Sequence, residues 1–188
     1  MANSDVGIFN LGLAKIGHGP FITSFTDGSK AATLGGVVYG PARDSLLRKH
    51  LWKFARKRVI LAPLTDALSF DSGNYFQLPV DCLRVVGTSI DNSGSWYVEG
   101  NKLIADTTAF NLVYAAQITD PTLFDPLFVQ ALAAKIGDEL SMPLAQSQSL
   151  KQEMKNEYKL AVAEAAFVGA TERDSEQYIA DAFISVHF

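Results

Sequence analysis

The order of the periodic patterns along the chain is the strongest constraint on the fold. Apolar residues recur at helical spacing towards both ends, whereas the middle carries short runs bounded by turn residues. This order places strands between two helical regions. None of these patterns is a catalytic motif. They predict the fold directly, and a function can be inferred only from that fold.

Two helices are predicted before residue 50. The first begins after Ser4 or Asp5 and ends at Gly17. Its apolar face is formed by Val6, Phe9, Leu13 and Ile16. Ser29 is expected to cap the second helix, which runs to about His50 and which Pro41 should kink or divide.

Five strands are predicted in the middle of the chain. They cover residues 59–62, 81–90, 95–99, 102–106 and 110–118, and a polar loop is expected at 65–74. Turn residues at 91–94 and 100–101 can adopt positive φ angles, which tight hairpins require. An antiparallel sheet is therefore expected here.

Helix signals return after Asp120. Asp125 and Pro126 are typical of a helix start, and this helix should run to about Ser141. A long helix is predicted from Ser147 or Ser149 to about residue 169. The expected fold class is mainly α: a helical bundle (3–62 and 119–170) with a small antiparallel β-sheet insertion (63–118), followed by an extended C-terminal tail (171–188).

Composition describes an ordinary globular chain. Its 188 residues suit a single domain, with 48% hydrophobic and 19% charged residues and a net charge of −4. It carries no uninterrupted apolar run long enough for a membrane span and does not begin like a signal peptide, so we expect a cytosolic protein without membrane contact. Cys82 is expected to be a small buried residue of a strand.

The sequence contains no recognisable catalytic arrangement. The histidines His18, His50 and His187 lack metal-ligand spacing, and no phosphate-binding or nucleophile motif is present. We therefore expect no catalytic residue, no metal and no cofactor. A pair of carboxylates that meets only in the folded chain, as in glycoside hydrolysis, stays open.

Positive charge is concentrated in one stretch, which we call the basic segment. It contains Arg43, Arg48, Lys49, Lys53, Arg56, Lys57 and Arg58 against Asp44 alone. From residue 119 onward, eleven acidic residues face five basic ones. Three interpretations stay open: pairing with acidic neighbours, including those of a second copy in a head-to-tail ring; a solvated face; and contact with nucleic-acid phosphates.

The last residues are unusually apolar for the end of a domain. Ala182, Ile184, Val186 and Phe188 alternate with Phe183, Ser185 and His187. This pattern predicts either a last strand on the protein's own sheet or a segment that adds to a partner.

Six short sequence motifs, taken in order, carry a resemblance to a known family. They are the helix end at Ile16-Gly17; Pro20-x-Ile22-Thr23-Ser24-Phe25-x-Asp27-Gly28-Ser29; Arg43-Asp44-x-Leu46-Leu47 leading into Trp52-x-Phe54-Ala55-x-Lys57-Arg58; Leu78-Pro79-x-Asp81-Cys82-Leu83-Arg84-Val85; Val98-Glu99-Gly100-x-x-Leu103; and Phe124-Asp125-Pro126-Leu127-Phe128-x-x-Ala131-Leu132-Ala133. Over residues 4 to 170 the chain resembles the head-to-tail adaptor, or tail tubular protein A, family of short-tailed bacteriophages. It departs from the family at Gly35 and Gly36, where a more helix-friendly pair is expected, and in the apolar C-terminal tail, whose sequence does not match the family.

The resemblance implies a structural protein of the virion, assembled in the host cytoplasm and without enzymatic activity. Members of that family form a twelvefold ring that joins the portal protein to the tail tube or nozzle and encloses the channel through which DNA passes. By analogy, the C-terminal tail docks on the portal through Tyr178, Ile179, Phe183, Ile184 and Phe188. The basic segment then serves as a ring contact or lines the channel. The alternatives are a nucleic-acid-binding module and a carboxylate-based cell-wall hydrolase.

Overall fold

The computed structural model describes residues 4–65, 73–88 and 95–171. This part of the chain contains four α-helices: α1 (Asp5–Lys15), α2 (Lys30–Lys49), α3 (Pro126–Ser141) and α4 (Gln148–Thr171). Two short 3₁₀ helices lie at Lys53–Ala55 and Pro121–Leu123. The six strands are β1 (Arg56–Leu61), β2 (Asn74–Gln77), β3 (Cys82–Thr88), β4 (Trp96–Glu99), β5 (Lys102–Ala105) and β6 (Phe110–Ala116).

The structure is a mixed α/β fold, so the predicted mainly α class is wrong. About 49% of it is helical and 21% is strand, and the strands form two three-stranded antiparallel sheets. The prediction places a loop over 65–74 and so misses β2, which begins at Asn74. It also begins the first strand at Val59, although β1 begins at Arg56, because charged side chains occupy this exposed edge.

α1 forms where its capping residues predict. The Ser4 hydroxyl accepts a hydrogen bond from the Gly7 amide at 3.0 Å, and Phe9 and Leu13 are fully buried. Gly17 ends the helix with a φ of +67°. Gly12 lies against α3, where a Cβ atom would come within 2.7 Å of the Ile136 side chain.

α2 begins at its predicted cap, where the Ser29 hydroxyl accepts a hydrogen bond from the Ala32 amide at 3.1 Å. The helix continues through Pro41 to Lys49, so Pro41 does not start a new helix. Gly35 faces the Phe25 ring, and a Cβ atom there would lie 2.7 Å from two ring carbons. This close approach explains a glycine at position 35, whereas Gly36 faces open space.

Both sheets contribute side chains to the same core. In the first, the strand order is β1-β6-β3, and Phe110, Leu112 and Tyr114 of the central strand β6 join the core. In the second, the order is β2-β5-β4. The sheets meet where Phe110 packs against Phe76 of β2, with ring centroids 5.7 Å apart.

α3 is the most deeply buried helix and packs against α1, α2 and α4. Its predicted cap is present, since the Asp125 carboxylate accepts a hydrogen bond from the Leu127 amide at 2.8 Å. Lys15 of α1 forms an ion pair with Glu157 of α4, which links the helices on either side of α3. None of the helices within the described ranges combines the length and apolarity that crossing a membrane requires.

An aromatic cluster joins the helical layer to the start of the first sheet. The Phe128 ring centroid lies 4.9 Å from that of Trp52, 5.2 Å from that of Phe54 and 4.8 Å from that of Phe124. The Trp52 indole donates a hydrogen bond to the Leu46 carbonyl at 3.1 Å. Such edge-to-face contacts and a satisfied indole stabilise the segment that connects α2 to β1.

Candidate functional site

The basic segment divides into a group on α2 and a group on β1, with Lys53 between them. Arg43, Arg48 and Lys49 lie in the C-terminal half of α2, Lys53 lies in the following 3₁₀ helix, and Arg56, Lys57 and Arg58 form the start of β1. The segment is therefore not one helix face. The two groups lie on different elements and have different partners.

The α2 group is held largely by contacts within the chain. Arg43 pairs with Asp44 at 2.8 Å, and the same carboxylate accepts a hydrogen bond from the Gln117 amide at 2.6 Å. Arg48 donates to the Leu83 carbonyl, and the Lys49 ammonium lies 4.6 Å from the centroid of the Tyr158 ring. Part of the positive charge thus ties α2 to the first sheet and to α4.

Lys57 also has an acidic neighbour. Its ammonium lies 2.7 Å from the Asp81 carboxylate, which also accepts a hydrogen bond from the Tyr114 hydroxyl at 3.1 Å. Partial burial alone would raise the pKa of Asp81, but these two hydrogen bonds and the charge of Lys57 hold it below its usual value. Burial, together with the same carboxylate, raises the pKa of Tyr114 to about 12.

Arg56 and Arg58 lie on the opposite face of β1 from Lys57. Both are exposed, and within residues 4–65, 73–88 and 95–171 neither forms an ion pair. Ile60, two residues further on the same face, is 72% exposed. This face of the edge strand therefore presents two arginines and an apolar side chain to solvent.

Arg84 extends the same cationic face across the sheet, although the basic segment does not include it. The register pairs Arg56 with Ala115 and Ala115 with Arg84, and residues directly opposite each other share a face. The Arg84 guanidinium donates from Nη1 to the Lys49 carbonyl at 3.3 Å, and its buried Nε has no partner among the described residues. Only strand register brings it beside Arg56, so charge clustering along the sequence could not identify it.

A groove of about 710 Å³ opens at one end of this face, and we call it the α4 groove. One wall is formed by the residues between α2 and β1, and the other by the last turns of α4 from Ala165 to Gly169. Its charged lining residues are Lys49, Lys53, Arg56, Arg84 and Asp125, and its apolar lining residues include Leu51, Phe54, Leu123, Leu127 and Ala166. The groove is therefore both cationic and apolar.

His50 also lines the α4 groove, with its ring centroid 4.9 Å from that of Trp52. Burial and the charge of Arg84 lower the pKa of His50 below its ordinary value. The imidazole is therefore largely neutral at neutral pH, and the positive charge of the groove comes from its lysines and arginines.

Four of the described acidic residues in the C-terminal third have partners within the chain. Asp120 and Asp125 cap the helices that follow them. Glu139 pairs with Lys135 at 3.2 Å, and Glu157 pairs with Lys15. Glu153 and Glu164 are exposed on α4 and share one helix face with Glu157, whereas Glu172, Asp174, Glu176 and Asp181 lie outside the described residues.

The predicted docking residues of the C-terminal tail also lie outside the described residues. These are Tyr178, Ile179, Phe183, Ile184 and Phe188. Cys82 is half-buried at the start of β3, and burial raises the pKa of its thiol. No group of three or more histidine, cysteine or acidic side chains that could hold a metal ion occurs among residues 4–65, 73–88 and 95–171.

Comparisons of the chain with models of known protein families and with curated proteins gave no match. No relative therefore assigns a function to the cationic sheet face or to the α4 groove. A function has to be inferred from the geometry and from the motifs in the sequence.

Proposed function

We propose that this chain is a structural head-to-tail adaptor of a bacteriophage virion, which forms a ring under the portal and encloses the DNA channel. In this proposal the protein acts by assembly and carries no catalytic site. Its partners are further copies of itself, the portal protein, and the tail tube or nozzle protein. DNA passes through the channel without sequence-specific contacts.

The observation that carries this proposal is the convergence of separate sequence motifs in one cluster. Trp52 and Phe54 pack against Phe124 and Phe128, and the Trp52 indole is bonded to the carbonyl of Leu46. Residues from separate motifs that resemble those of the adaptor family therefore meet at the junction of helices and sheet. Their role is architectural, as expected for motifs of a structural protein.

The remaining motifs also lie at points where the chain changes direction. Ser29 caps α2, Asp81 lies beside the turn into β3, and Gly100 has a φ of +59° between β4 and β5. These positions favour a scaffold whose loops and surfaces, rather than a buried active centre, carry its function. This supports an assembly protein over an enzyme.

The proposal is tested by electron microscopy of the full-length protein mixed with portal rings from the same genome. We expect a symmetric additional ring. A tail variant with Phe183→Asp and Phe188→Asp should not form it, because large apolar side chains carry most interface energy. The matched control is Phe21→Asp with Val37→Asp, which places the same charges at side chains that are 57% and 68% exposed.

The outcomes separate the two parts of the proposal. Undecorated portals in every sample would overturn the adaptor function. Rings formed by the tail variant as well as by the control would leave the adaptor function in place and overturn the assignment of docking to Phe183 and Phe188.

A phosphate-binding surface is the second candidate function, because Arg56, Arg58 and Arg84 share one sheet face. Binding through such a surface would depend steeply on salt and little on sequence. Replacing Arg56 and Arg58 by serine should lower the slope of log affinity against log salt by about 1–2. The control variant Lys155→Ser, at an exposed position of α4, should leave this slope unchanged. An equal change of slope in the arginine variant and in the control would contradict this function.

A further inference from the structure

The α4 groove has unusual features for a surface that faces only water. Leu123 on its rim is 57% exposed, and the cations Arg56 and Arg84 lie beside this apolar lining. Exposed apolar surface with flanking charge is typical of a docking site. Its complement is a segment that carries both apolar and acidic side chains.

The chain itself contains such a segment. α4 supplies one wall of the groove up to Gly169 and ends at Thr171, so residues 172–188 continue from the rim of the groove. These seventeen residues lie outside the described residues, but their composition is known. They carry four carboxylates against Arg173, a net charge of −3, and five large apolar side chains.

We propose that the α4 groove is the docking site for residues 172–188 of the same chain. The carboxylates match the cations of the groove in sign, and the apolar side chains match its apolar lining. Attachment at Thr171 makes docking intramolecular and keeps the effective concentration of the segment high, so that individually weak contacts suffice. Seventeen residues can span at most about 55 Å, which leaves ample reach for a groove at the end of the helix.

The test uses the full-length protein with Cys82 replaced by serine and two new cysteines joined by a short bismaleimide. One cysteine replaces Ala180, and the other replaces Ala166, which lines the groove. The matched control places the second cysteine at Ala163, which is exposed on α4 and does not line the groove. We expect the Ala166 pair to form an intrachain cross-link at least about five-fold faster than the Ala163 pair.

Charge reversal tests the basis of docking. Arg56→Glu should slow the Ala166 cross-link several-fold, whereas Arg58→Glu should not, because Arg58 lies on the same strand face outside the groove. Equal cross-linking rates for the Ala166 and Ala163 pairs would overturn the proposal. So would a cross-link that joins two chains, or equal effects of the two charge reversals.

This inference does not rest on the adaptor proposal, since the assay contains no portal protein. If the cross-link forms and portal rings stay undecorated, docking stands and the adaptor function fails. If rings form and the cross-link is not specific to Ala166, the adaptor function stands and docking in the groove fails.

Discussion

Gly35 and Gly36 are adjacent in α2, yet they have different surroundings. A Cβ atom at Gly35 would lie 2.7 Å from two carbons of the Phe25 ring and 3.0 Å from Phe9 Cζ, whereas one at Gly36 would meet nothing within 4 Å. Alanine substitutions at the two positions therefore form a matched pair. They change helix propensity equally and differ only in the packing that they disturb.

The expected magnitudes follow from two opposing effects. Each substitution gains about 0.8–1 kcal/mol of helix propensity. Overpacking at Gly35 costs about 1–3 kcal/mol. We therefore expect Gly36→Ala to raise the free energy of unfolding by about 1 kcal/mol, and Gly35→Ala to lie about 2 kcal/mol below it. For a chain of this size, the Tm of Gly35→Ala should therefore be about 4–8 °C below that of Gly36→Ala.

Urea unfolding followed by circular dichroism measures the difference directly. A Phe25→Ala background provides the control, because removing the ring should let Gly35→Ala stabilise the helix nearly as much as Gly36→Ala does. Equal stability of the two single variants in the wild-type background would refute the argument. It would mean that the Phe25 ring moves away at no cost and that its close approach does not require glycine.

Three further predictions concern other contacts. Gly12→Ala should lower the free energy of unfolding by about 1–2 kcal/mol, because the overpacking cost exceeds the gain of about 1 kcal/mol in helix propensity. The new Cβ would lie 2.7 Å from Ile136 Cγ2 and 3.2 Å from the Ala133 carbonyl, and unchanged urea unfolding would contradict this. Asp81→Asn should lower the free energy of unfolding by less than about 1 kcal/mol at neutral pH. Because the folded pKa of Asp81 is depressed, its contribution is present above the ordinary pKa of 3.8 and is lost as the pH falls through the folded value. Wild type and variant should therefore converge on acidification, and a constant difference in unfolding free energy would argue against the Lys57 and Tyr114 contacts as its cause. Finally, added portal rings should slow the cross-link between positions 166 and 180 if portal and groove compete for the same segment, and an unchanged rate would exclude that competition.

Helix boundaries could be predicted from the sequence because capping is local. Ser4, Ser29 and Asp125 each lie at the position that their side-chain chemistry predicts, and each accepts the expected backbone hydrogen bond. The division of the strands into two sheets could not be predicted, because it depends on pairing between distant segments. β1 pairs with β6, about fifty residues further along the chain, and its charged, exposed sequence carries little alternation.

The candidate site could be predicted only in part, because some of its features are local in the sequence and others depend on contacts between distant segments. Clustering of charge along the sequence identifies the basic segment, but the partners Asp81 and Tyr158 come from other elements. The position of Arg84 depends on the register of β3, which shifts twice along its pairing with β6. The α4 groove combines residues from four separate stretches of the chain, so only the folded structure reveals it.

The exposed edge of β1 also affects how the protein behaves in solution. Among the described strands β1 pairs only with β6, and Val59 and Ile60 lie beside the exposed cations Arg56 and Arg58 along its other edge. Like charges on an open edge discourage two copies from pairing their strands. Salt shortens the range of this repulsion to about 3 Å at 1 M. Concentrated salt, often added to keep proteins in solution, should therefore promote aggregation of this one through β1.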